Sequence, residues 1–252
     1  MNNDPKIRIV VLAGGKGKRM KSDTPKALAL FKGKPFLKHI LDTIKELDKS
    51  IKPIIVVGHK KEDIQQAFGD EHIYAEQSEQ LGTGHAVMSA KSAIDSPHEI
   101  VIVVATDQPL ISKETLESII KKHVEKKPTV TIGTVTVPDF QDWRMGVHEF
   151  GRIIRGNDGA IKRIVEFKDA TDEERKLKEL NPALYAFDAN WLWENIDKLK
   201  KENVQGEYYL TDMIQMAFDQ NKKIETVPLV NMVEALQPNS KEELEMLEKL
   251  IV

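Results

Sequence analysis

Residues 99–107 (EIVIVVATD) form an almost uninterrupted apolar run that ends in an aspartate. A strand without polar alternation is typical of the centre of a parallel sheet, where both faces are buried. Residues 113–126 follow this run with the spacing of an amphipathic helix. The pair therefore predicts an α/β protein built on a doubly wound, mostly parallel sheet, with ligands beyond the carboxyl ends of the strands.

The same alternation of strands and helices runs through the first half of the chain. We expect strands at residues 7–13, 53–57 and 73–75. We expect helices at residues 36–47, 61–68 and 85–94. This order is consistent with the parallel sheet predicted from the apolar run.

The pattern changes near residue 128, where longer β segments begin. These segments are expected at residues 130–137, 151–155 and 160–167. Residues 169–180 (DATDEERKLKEL) are predicted to be an exposed helix or loop. The chain then returns to the core through strands at 184–187 and 224–229, and residues 240–252 form an amphipathic helix. We interpret the β-rich part as a cap on the sheet.

A glycine-rich turn follows the first predicted strand, within residues 11–28 (VLAGGKGKRMKSDTPKAL). Gly14, Gly15 and Gly17 lack a Cβ, so the backbone N–H groups there can approach phosphate oxygens closely. The spacing fits neither the P-loop nor the dinucleotide fingerprint, which needs a third glycine where Met20 stands. The turn nevertheless predicts a nucleoside triphosphate site.

Two cations accompany this turn. Arg19 offers a planar fork and Lys26 a point charge, and a triphosphate needs such positive charge. Asp107 ends the apolar strand, where a carboxylate is costly unless it caps a turn or binds a cation. Both features fall at the carboxyl ends of predicted strands, so they converge on one site.

The motif at residues 77–86 (QSEQLGTGHA) allows two interpretations. Thr83 is a good N-cap residue, which would make the motif an ordinary helix start. Gln77 and Gln80 carry amides that can donate and accept at once, which suits the imide edge of a pyrimidine. The residues alone leave both interpretations open.

Composition excludes several classes of function. Lys and Arg number 37 and Asp and Glu 40, a net charge of -3, which argues against nucleic acid or an anionic membrane as a partner. The chain has no Cys, so thiolate metal sites and cysteine nucleophiles are excluded. We find no signal peptide and no apolar segment of the ~20 residues that span a bilayer, so we expect a cytoplasmic protein.

Several motifs together resemble the sugar-nucleotidyltransferase family. Within it, the likeness is to the uridyltransferase (pyrophosphorylase) domain of the bacterial bifunctional N-acetylglucosamine-1-phosphate uridyltransferase/glucosamine-1-phosphate acetyltransferases. The matching segments are residues 12–26 (LAGGKGKRMKSDTPK), 77–86 (QSEQLGTGHA), 150–175 (from FGRIIR to IVEFKDATDEER) and 205–212 (QGEYYLTD). Four motifs in the family's order are highly specific, and the likeness extends over nearly the whole chain.

The resemblance implies a single nucleotidyltransferase domain over residues 1–252. Its nucleotide-binding half would be about residues 1–127, and its sugar-binding half and C-terminal helix about residues 128–252. The sequence shows no hexapeptide period, so we expect no acetyltransferase β-helix domain.

The resemblance also assigns the nucleotide site. Arg19 and Lys26 would lie on the phosphates as the catalytic cations. Leu12, Ala13, Gly14 and Gly15 would hold the nucleotide backbone, and the base would lie against Gln77, Gln80, Gly82 and Thr83. His85 is expected to be structural, because phosphoryl transfer to a phosphate nucleophile needs no strong base.

For the metal, the resemblance implies Mg²⁺ on Asp107, a hard oxygen donor that suits this ion. Its usual partner is an Asn near the C-terminus. Residues 238–248 (PNSKEELEMLE) resemble that segment and nominate Asn239. Asn231 is the alternative.

For the sugar, the resemblance assigns Gly151, Glu166 and Asn181. The family's Tyr-Gly pair before the metal ligand is Ala105-Thr106 in this chain. We expect these two residues to border the sugar, to widen its pocket and to add a hydroxyl there.

These assignments imply an enzyme that uses UTP and a sugar 1-phosphate, preferably N-acetylglucosamine 1-phosphate. The sugar phosphate would attack the α-phosphorus in line and release pyrophosphate. The alternatives are another sugar, dTTP or CTP as the nucleotide, or a catalytically silent nucleotide-sugar sensor.

Overall fold

The computed structural model describes residues 5–15 and 24–251. Its strands are β1 (Ile7–Leu12), β2 (Leu30–Phe31), β3 (Lys34–Pro35), β4 (Ile54–Val57), β5 (Ile73–Glu76), β6 (Ile100–Ala105), β7 (Val130–Thr136), β8 (Gly151–Arg155), β9 (Ile161–Val165), β10 (Glu179–Asn181), β11 (Tyr185–Asp188) and β12 (Ile224–Pro228).

The helices flank this set of strands. They are α1 (Phe36–Leu47), α2 (Lys61–Phe68), α3 (Thr83–Ala90), α4 (Lys113–Lys126), α5 (Asp172–Arg175), α6 (Ala189–Asn195), α7 (Asp212–Asp219) and α8 (Lys241–Leu250). Short 3₁₀ turns lie at Lys26–Leu28, Lys91–Ala93, Asp142–Val147, Ile196–Lys198 and Met232–Ala235.

The main sheet of the described residues has the order β5-β4-β1-β6-β11-β7-β10-β8-β9, with β12 paired to β7, and β2 and β3 form a separate two-stranded sheet. Strands β5, β4, β1 and β6 are parallel, and Val10 at their centre is paired with both Ile54 and Val103. The doubly wound arrangement expected from the sequence is confirmed for this half.

The central strands alternate between two apolar layers because successive side chains point to opposite faces. Ile9 and Val11 pack on one face with helices α1 and α4. Val10 packs on the other face with helices α3, α6 and α7. This is why the apolar runs lack polar alternation.

The second half of the chain joins the same sheet mostly through antiparallel pairs, and only β12 among its described strands is parallel to its partner, β7. Strand β11 lies between β6 and β7 and is antiparallel to both, and β7, β10, β8 and β9 continue in the same manner. The sequence predicts an exposed helix or loop at residues 169–180. This is correct for α5 but wrong for the last residues of the segment, which belong to β10. There, Leu180 is fully buried and β10 pairs with β7 and β8.

Two carboxyl strand ends are joined at one edge of the sheet. The Thr106 backbone N–H donates to the Leu12 carbonyl at 3.1 Å, and the Thr106 hydroxyl donates to the same oxygen at 3.0 Å. Ala13 N–H donates to the Val56 carbonyl at 2.8 Å. The glycine turn and Asp107 therefore begin side by side.

Among residues 5–15 and 24–251, no helix has the length and apolar composition needed to cross a bilayer.

The buried side chain of His123 makes the stability of this core depend on pH. His123 of α4 is 5% exposed, and its Nδ1 lies 2.9 Å from the Thr131 hydroxyl of β7. Burial lowers the pKa of His123 from 6.5 to about 4, and the nearby Asp188 carboxylate only partly opposes this. The folded protein therefore holds this ring neutral.

Because the pKa is depressed in the folded state, the stability linked to His123 is present above pH ~6.5. It falls as the pH drops toward 4, since the unfolded chain binds the proton first. We expect about 2 kcal/mol of this loss between pH 8 and pH 5. Urea unfolding of wild type and His123→Asn at both pH values measures it, since Asn can keep the bond to Thr131. Equal pH dependence in the two proteins would contradict the assignment.

Candidate active site

Three side chains from distant parts of the chain meet at this sheet edge. The Lys26 ammonium Nζ lies 2.6 Å from Asp107 Oδ2 and 2.5 Å from Asn239 Oδ1. The Lys26 side chain is 10% exposed, and that of Asp107 is 21% exposed. A shielded cation thus bridges a carboxylate and an amide oxygen.

The C-terminal segment orients Asn239. The Ser240 side chain caps α8 by accepting from the Glu243 N–H, and the Glu243 carboxylate accepts from the Asn239 N–H at 2.6 Å. Asn239 Nδ2 donates to the Gln237 carbonyl at 2.7 Å. With its amide N–H so engaged, Asn239 turns Oδ1 toward Lys26.

The alternative residue lies elsewhere. Asn231 caps the 3₁₀ turn Met232–Ala235. Its side chain accepts from the Val233 N–H, and the Glu234 carboxylate accepts from the Asn231 N–H. The structure brings Asn239, not Asn231, to Asp107.

A cavity of about 460 Å³ lies on one side of Lys26 and Asp107. Its walls include all eight residues predicted to bind the nucleotide, Leu12, Ala13, Gly14, Gly15, Gln77, Gln80, Gly82 and Thr83. Ala86, Ala105, Thr106 and Glu207 complete the lining. The predicted nucleotide residues therefore share one concave surface. Arg19 and Gly17 lie outside the described residues.

Two glycines of this cavity are required by close approach. A Cβ on Gly14 would lie 2.8 Å from Gln77 Oε1. Gly82 has φ +107 and ψ 175, and a Cβ there would lie 2.6 Å from the Tyr208 carbonyl oxygen. This backbone region is accessible essentially only to glycine.

The polar side chains in this wall also bind one another. Gln77 Nε2 donates to the Gly82 carbonyl at 3.0 Å and lies 3.3 Å from His85 Nδ1, and Gln80 Nε2 donates to the Gln77 carbonyl at 3.2 Å. The Gln77 and Gln80 amides therefore bind the turn that carries them.

Thr83 does not cap helix α3. The N-cap residue is Gly82, without a side-chain cap bond. The Thr83 hydroxyl instead accepts from the Leu210 N–H at 3.1 Å. His85 stacks on Tyr208 with ring centroids 6.1 Å apart. These contacts join the segments 77–86 and 205–212, two of the motifs that carried the family resemblance.

A second cavity of about 630 Å³ opens on the other side of Asp107. Its lining includes Glu166 and Asn239, together with Met145, Gly146, His148, Glu149, Phe150, Phe167, Lys168, Gln205, Gln237 and Glu243. Asp107 lines both cavities. The two spaces therefore meet at the Lys26-bridged carboxylate.

Glu166 is held within the second cavity. Its Oε1 accepts from the Thr211 hydroxyl at 2.9 Å. Burial raises the pKa of the Glu166 carboxyl, and the carboxylates of Asp212, Asp169 and Glu207 add to this. A carboxyl in this position can accept or donate hydrogen bonds to a polar ligand.

The other residues predicted for the sugar lie behind or beside this wall. Asn181 is buried, its Nδ2 donates to the Tyr185 hydroxyl at 2.7 Å, and its Oδ1 accepts from the Ala183 N–H. A Cβ on Gly151 would lie 2.9 Å from Ile164 Cγ2, so this glycine serves packing. Neither residue lines the two cavities described above.

Ala105 and Thr106 line the first cavity rather than the second. The Thr106 hydroxyl donates to the Leu12 carbonyl, so it is not a free donor for a sugar. The expectation that it adds a hydroxyl to a sugar pocket is not supported by this geometry.

Comparison with known proteins identifies the family. Residues 9–207 match the family described as MobA-like NTP transferase domain. The chain belongs to this family. It is 41% identical over 232 residues to the bifunctional protein GlmU of Bacillus licheniformis, covering 92% of this chain and 49% of the relative. With GlmU of Exiguobacterium sibiricum it shares 42% over 208 residues, covering 82% and 44%. The chain thus spans about half the length of these relatives.

Solved structures of NTP transferases share the fold. A UDP-glucose pyrophosphorylase complexed with UDP-glucose aligns with a TM-score of 0.74 at 16% identity, covering 97% of this chain and 98% of the other. The inositol-1-phosphate CTP transferase of T. maritima aligns with a TM-score of 0.70 at 17% identity, covering 99% and 98%. The family resemblance and the fold class drawn from the sequence are confirmed.

The candidate site offers oxygen donors that fit a divalent cation. Asp107 Oδ1 is buried and has no hydrogen-bond partner, while Oδ2 and Asn239 Oδ1 hold a cationic group between them. No cluster of three or more acidic, His or Cys side chains suited to a metal occurs within the described residues. The donor set suits Mg²⁺, which binds through one or two carboxylates and completes its shell with water and phosphate.

Sequence reasoning did not single out Arg152, although it lies within the FGRIIR motif. This fully buried guanidinium donates to the carbonyls of His148, Phe150 and Arg175, and it lies over the rings of Phe140 and Phe167. An arginine between apolar residues of a predicted strand is the signal that could have identified it. It supports the wall of the second cavity from behind.

The close approach of Gly82 to the Tyr208 backbone can be tested by comparison with a matched glycine. Gly206 also has positive φ (+63), but a Cβ there would meet nothing within 4 Å. We expect Gly206→Ala to lower the free energy of unfolding by about 1–2 kcal/mol. Gly82→Ala should lower it further, because the backbone of Tyr208 must also move.

Urea unfolding of both variants measures this difference. If Gly82→Ala is no more destabilised than Gly206→Ala, the close approach of Gly82 to the 205–212 segment is wrong.

Proposed function

We propose that this chain is a Mg²⁺-dependent sugar-1-phosphate uridylyltransferase that makes a UDP-sugar and pyrophosphate, with N-acetylglucosamine 1-phosphate as the preferred acceptor. The observation that carries this proposal is the meeting of two cavities at Asp107, Lys26 and Asn239. A transfer between two bound substrates requires such a junction. Similarity to GlmU proteins over most of the chain supports it.

The first cavity suits the nucleotide. Gly14 and Gly15 leave room for phosphates near the backbone. The Nε2 groups of Gln77 and Gln80 donate to their own turn, so the amide oxygens are the groups proposed to accept from a pyrimidine base. Lys26 lines this cavity beside Asp107, where the α-phosphate would meet the second substrate. Arg19 is proposed to act on the same phosphates.

The second cavity suits the sugar 1-phosphate. Glu166 offers a carboxyl to sugar hydroxyls or an N-acetyl group, and Gln205 and Lys168 add polar groups along the same wall. Gly151 and Asn181, proposed as sugar residues from the resemblance, would act only by shaping this wall. The described residues line both cavities, and we propose that the chain works as one nucleotidyltransferase domain.

The chain's own residues account for the chemistry. The sugar phosphate is already an anionic nucleophile, so no strong base is needed, and positioning and charge stabilisation dominate. Lys26, together with Arg19, would offset negative charge as pyrophosphate departs. Asp107 and Asn239 would hold Mg²⁺, which supplies further charge neutralisation at the transferring phosphate.

A pyrophosphate-release assay tests the substrates. UTP, CTP and dTTP are each combined with N-acetylglucosamine 1-phosphate and glucose 1-phosphate, with Asp107→Asn as the background. We expect UTP with N-acetylglucosamine 1-phosphate to give the highest kcat/KM. A higher value for another pair would reassign the substrate. No release above background with any pair would favour the silent sensor.

The metal ligands can be separated by two asparagine variants. Asn239→Ala should raise the Mg²⁺ concentration for half-maximal activity by roughly 10- to 100-fold, the range seen when support for a metal site is lost. Asn231→Ala should leave that concentration unchanged and lower stability by about 1 kcal/mol through loss of its cap. Titration of Mg²⁺ in the activity assay and urea unfolding measure the two effects. The reverse pattern would place the second ligand at Asn231.

A further inference from the structure

The Lys26 ammonium lies on the two oxygens that the proposed metal would need. Its Nζ lies 2.6 Å from Asp107 Oδ2 and 2.5 Å from Asn239 Oδ1. A divalent cation binds such oxygens at a comparable or shorter distance. Two cations in van der Waals contact repel strongly in a shielded site. The metal and Lys26 therefore compete for these oxygens.

Of the three groups, Lys26 is the one that can move. Asn239 is fixed by bonds to Gln237 and Glu243, and Asp107 stands at the end of a buried strand. Lys26 carries its charge on a flexible four-carbon stem, and the side chain borders the first cavity. A displaced ammonium would thus enter the space proposed for the nucleotide phosphates.

Asp107 also offers a starting point for such an exchange. Its Oδ1 is buried and has no hydrogen-bond partner. An incoming cation can engage this oxygen before the contact between Lys26 and Oδ2 is broken. With Lys26 in place, however, the charge of Asp107 is neutralised, and a free cation gains little attraction.

On the basis of the proposed function, we propose that Lys26 is the resident cation of the nucleotide-free site and that it exchanges with the divalent metal. The metal takes the oxygens of Asp107 and Asn239, and the ammonium moves to the nucleotide phosphates. Metal and nucleotide then bind with positive coupling, because each removes the obstacle to the other. Metal binding to the nucleotide-free protein is weak for the same reason.

Mn²⁺ binding, followed by the electron paramagnetic resonance of the free ion, tests this exchange without turnover. The nucleotide-free wild type is compared with Lys26→Met. Lys91→Met is the control, because it removes a lysine that pairs with Asp197 at the same distance of 2.6 Å, on the surface. We expect the dissociation constant for Mn²⁺ to be at least ~10-fold lower in Lys26→Met than in wild type. Lys91→Met should match wild type.

The coupling is tested with a non-transferable UTP analogue with a methylene bridge between the α- and β-phosphates. The analogue should tighten Mn²⁺ binding more in wild type than in Lys26→Met. Unchanged or weaker Mn²⁺ binding by folded Lys26→Met would overturn the exchange.

A measurement on wild type covers the case in which Lys26→Met does not fold. Acetylation of Lys26 by a soluble acylating reagent, resolved by mass spectrometry, should become faster when Mg²⁺ is added to nucleotide-free wild type at a concentration that saturates its metal site, while that of Lys91 should not change. A Lys26 rate that is unchanged or slower would overturn the exchange. These outcomes are separate from the pyrophosphate assay, because the exchange can hold in a protein without uridylyl transfer and can fail in one that has it.

Discussion

The pairing of β1 with β6 is the constraint on which the rest of the site depends. Six consecutive residue pairs hold these strands in register, from Ile7 with Ile100 to Leu12 with Ala105. Thr106 extends the register by two bonds to the Leu12 carbonyl. A shift of one residue would move the glycine turn relative to Asp107 and turn every buried side chain to the opposite face. The pairing of β1 with β6, rather than contacts between the site residues, therefore positions the glycine turn and Asp107.

Asn239 comes from far along the chain to meet Lys26 and Asp107, and a separate polar contact fixes the segment that precedes it. Glu234 is buried in the turn before the C-terminal segment, and its carboxylate accepts from both the N–H and the hydroxyl of Ser112 at 3.1 Å. Ser112 caps α4, the helix that follows β6. Strand β6, which ends two residues before Asp107, thus leads into the helix whose cap binds the turn that precedes Asn239.

Much of this fold could be predicted from the sequence, because the spacing of apolar residues indicates which local segments form buried helices and strands. Helices α1, α2 and α4 begin and end where the apolar spacing predicts. Partners made by packing leave no such pattern. The residues around Asn181 in sequence do not indicate that its amide binds Tyr185. The charged residues before Leu180 do not indicate strand β10, which is stabilised by its pairing with β7 and β8. The residues that line the first cavity could be predicted to lie together because they fall in two continuous segments, whereas Arg152 acts partly through a bond to the Arg175 carbonyl, 23 residues away.

The two cavities also differ in what determines their shape, and this explains why the ligand proposed for the second is harder to infer than the ligand proposed for the first. The first cavity is walled by strand ends and glycines, whose backbone geometry the motifs record. The second is formed by loops outside the sheet ladder, whose carbonyls need donors from elsewhere. Arg152 supplies them from beneath, with a pKa lowered to about 10 by burial and by Arg175, so it remains charged at neutral pH. A change at such a buried donor would reshape the wall without altering any residue that lines the cavity, so the shape of the proposed sugar cavity depends on side chains that a motif comparison does not examine.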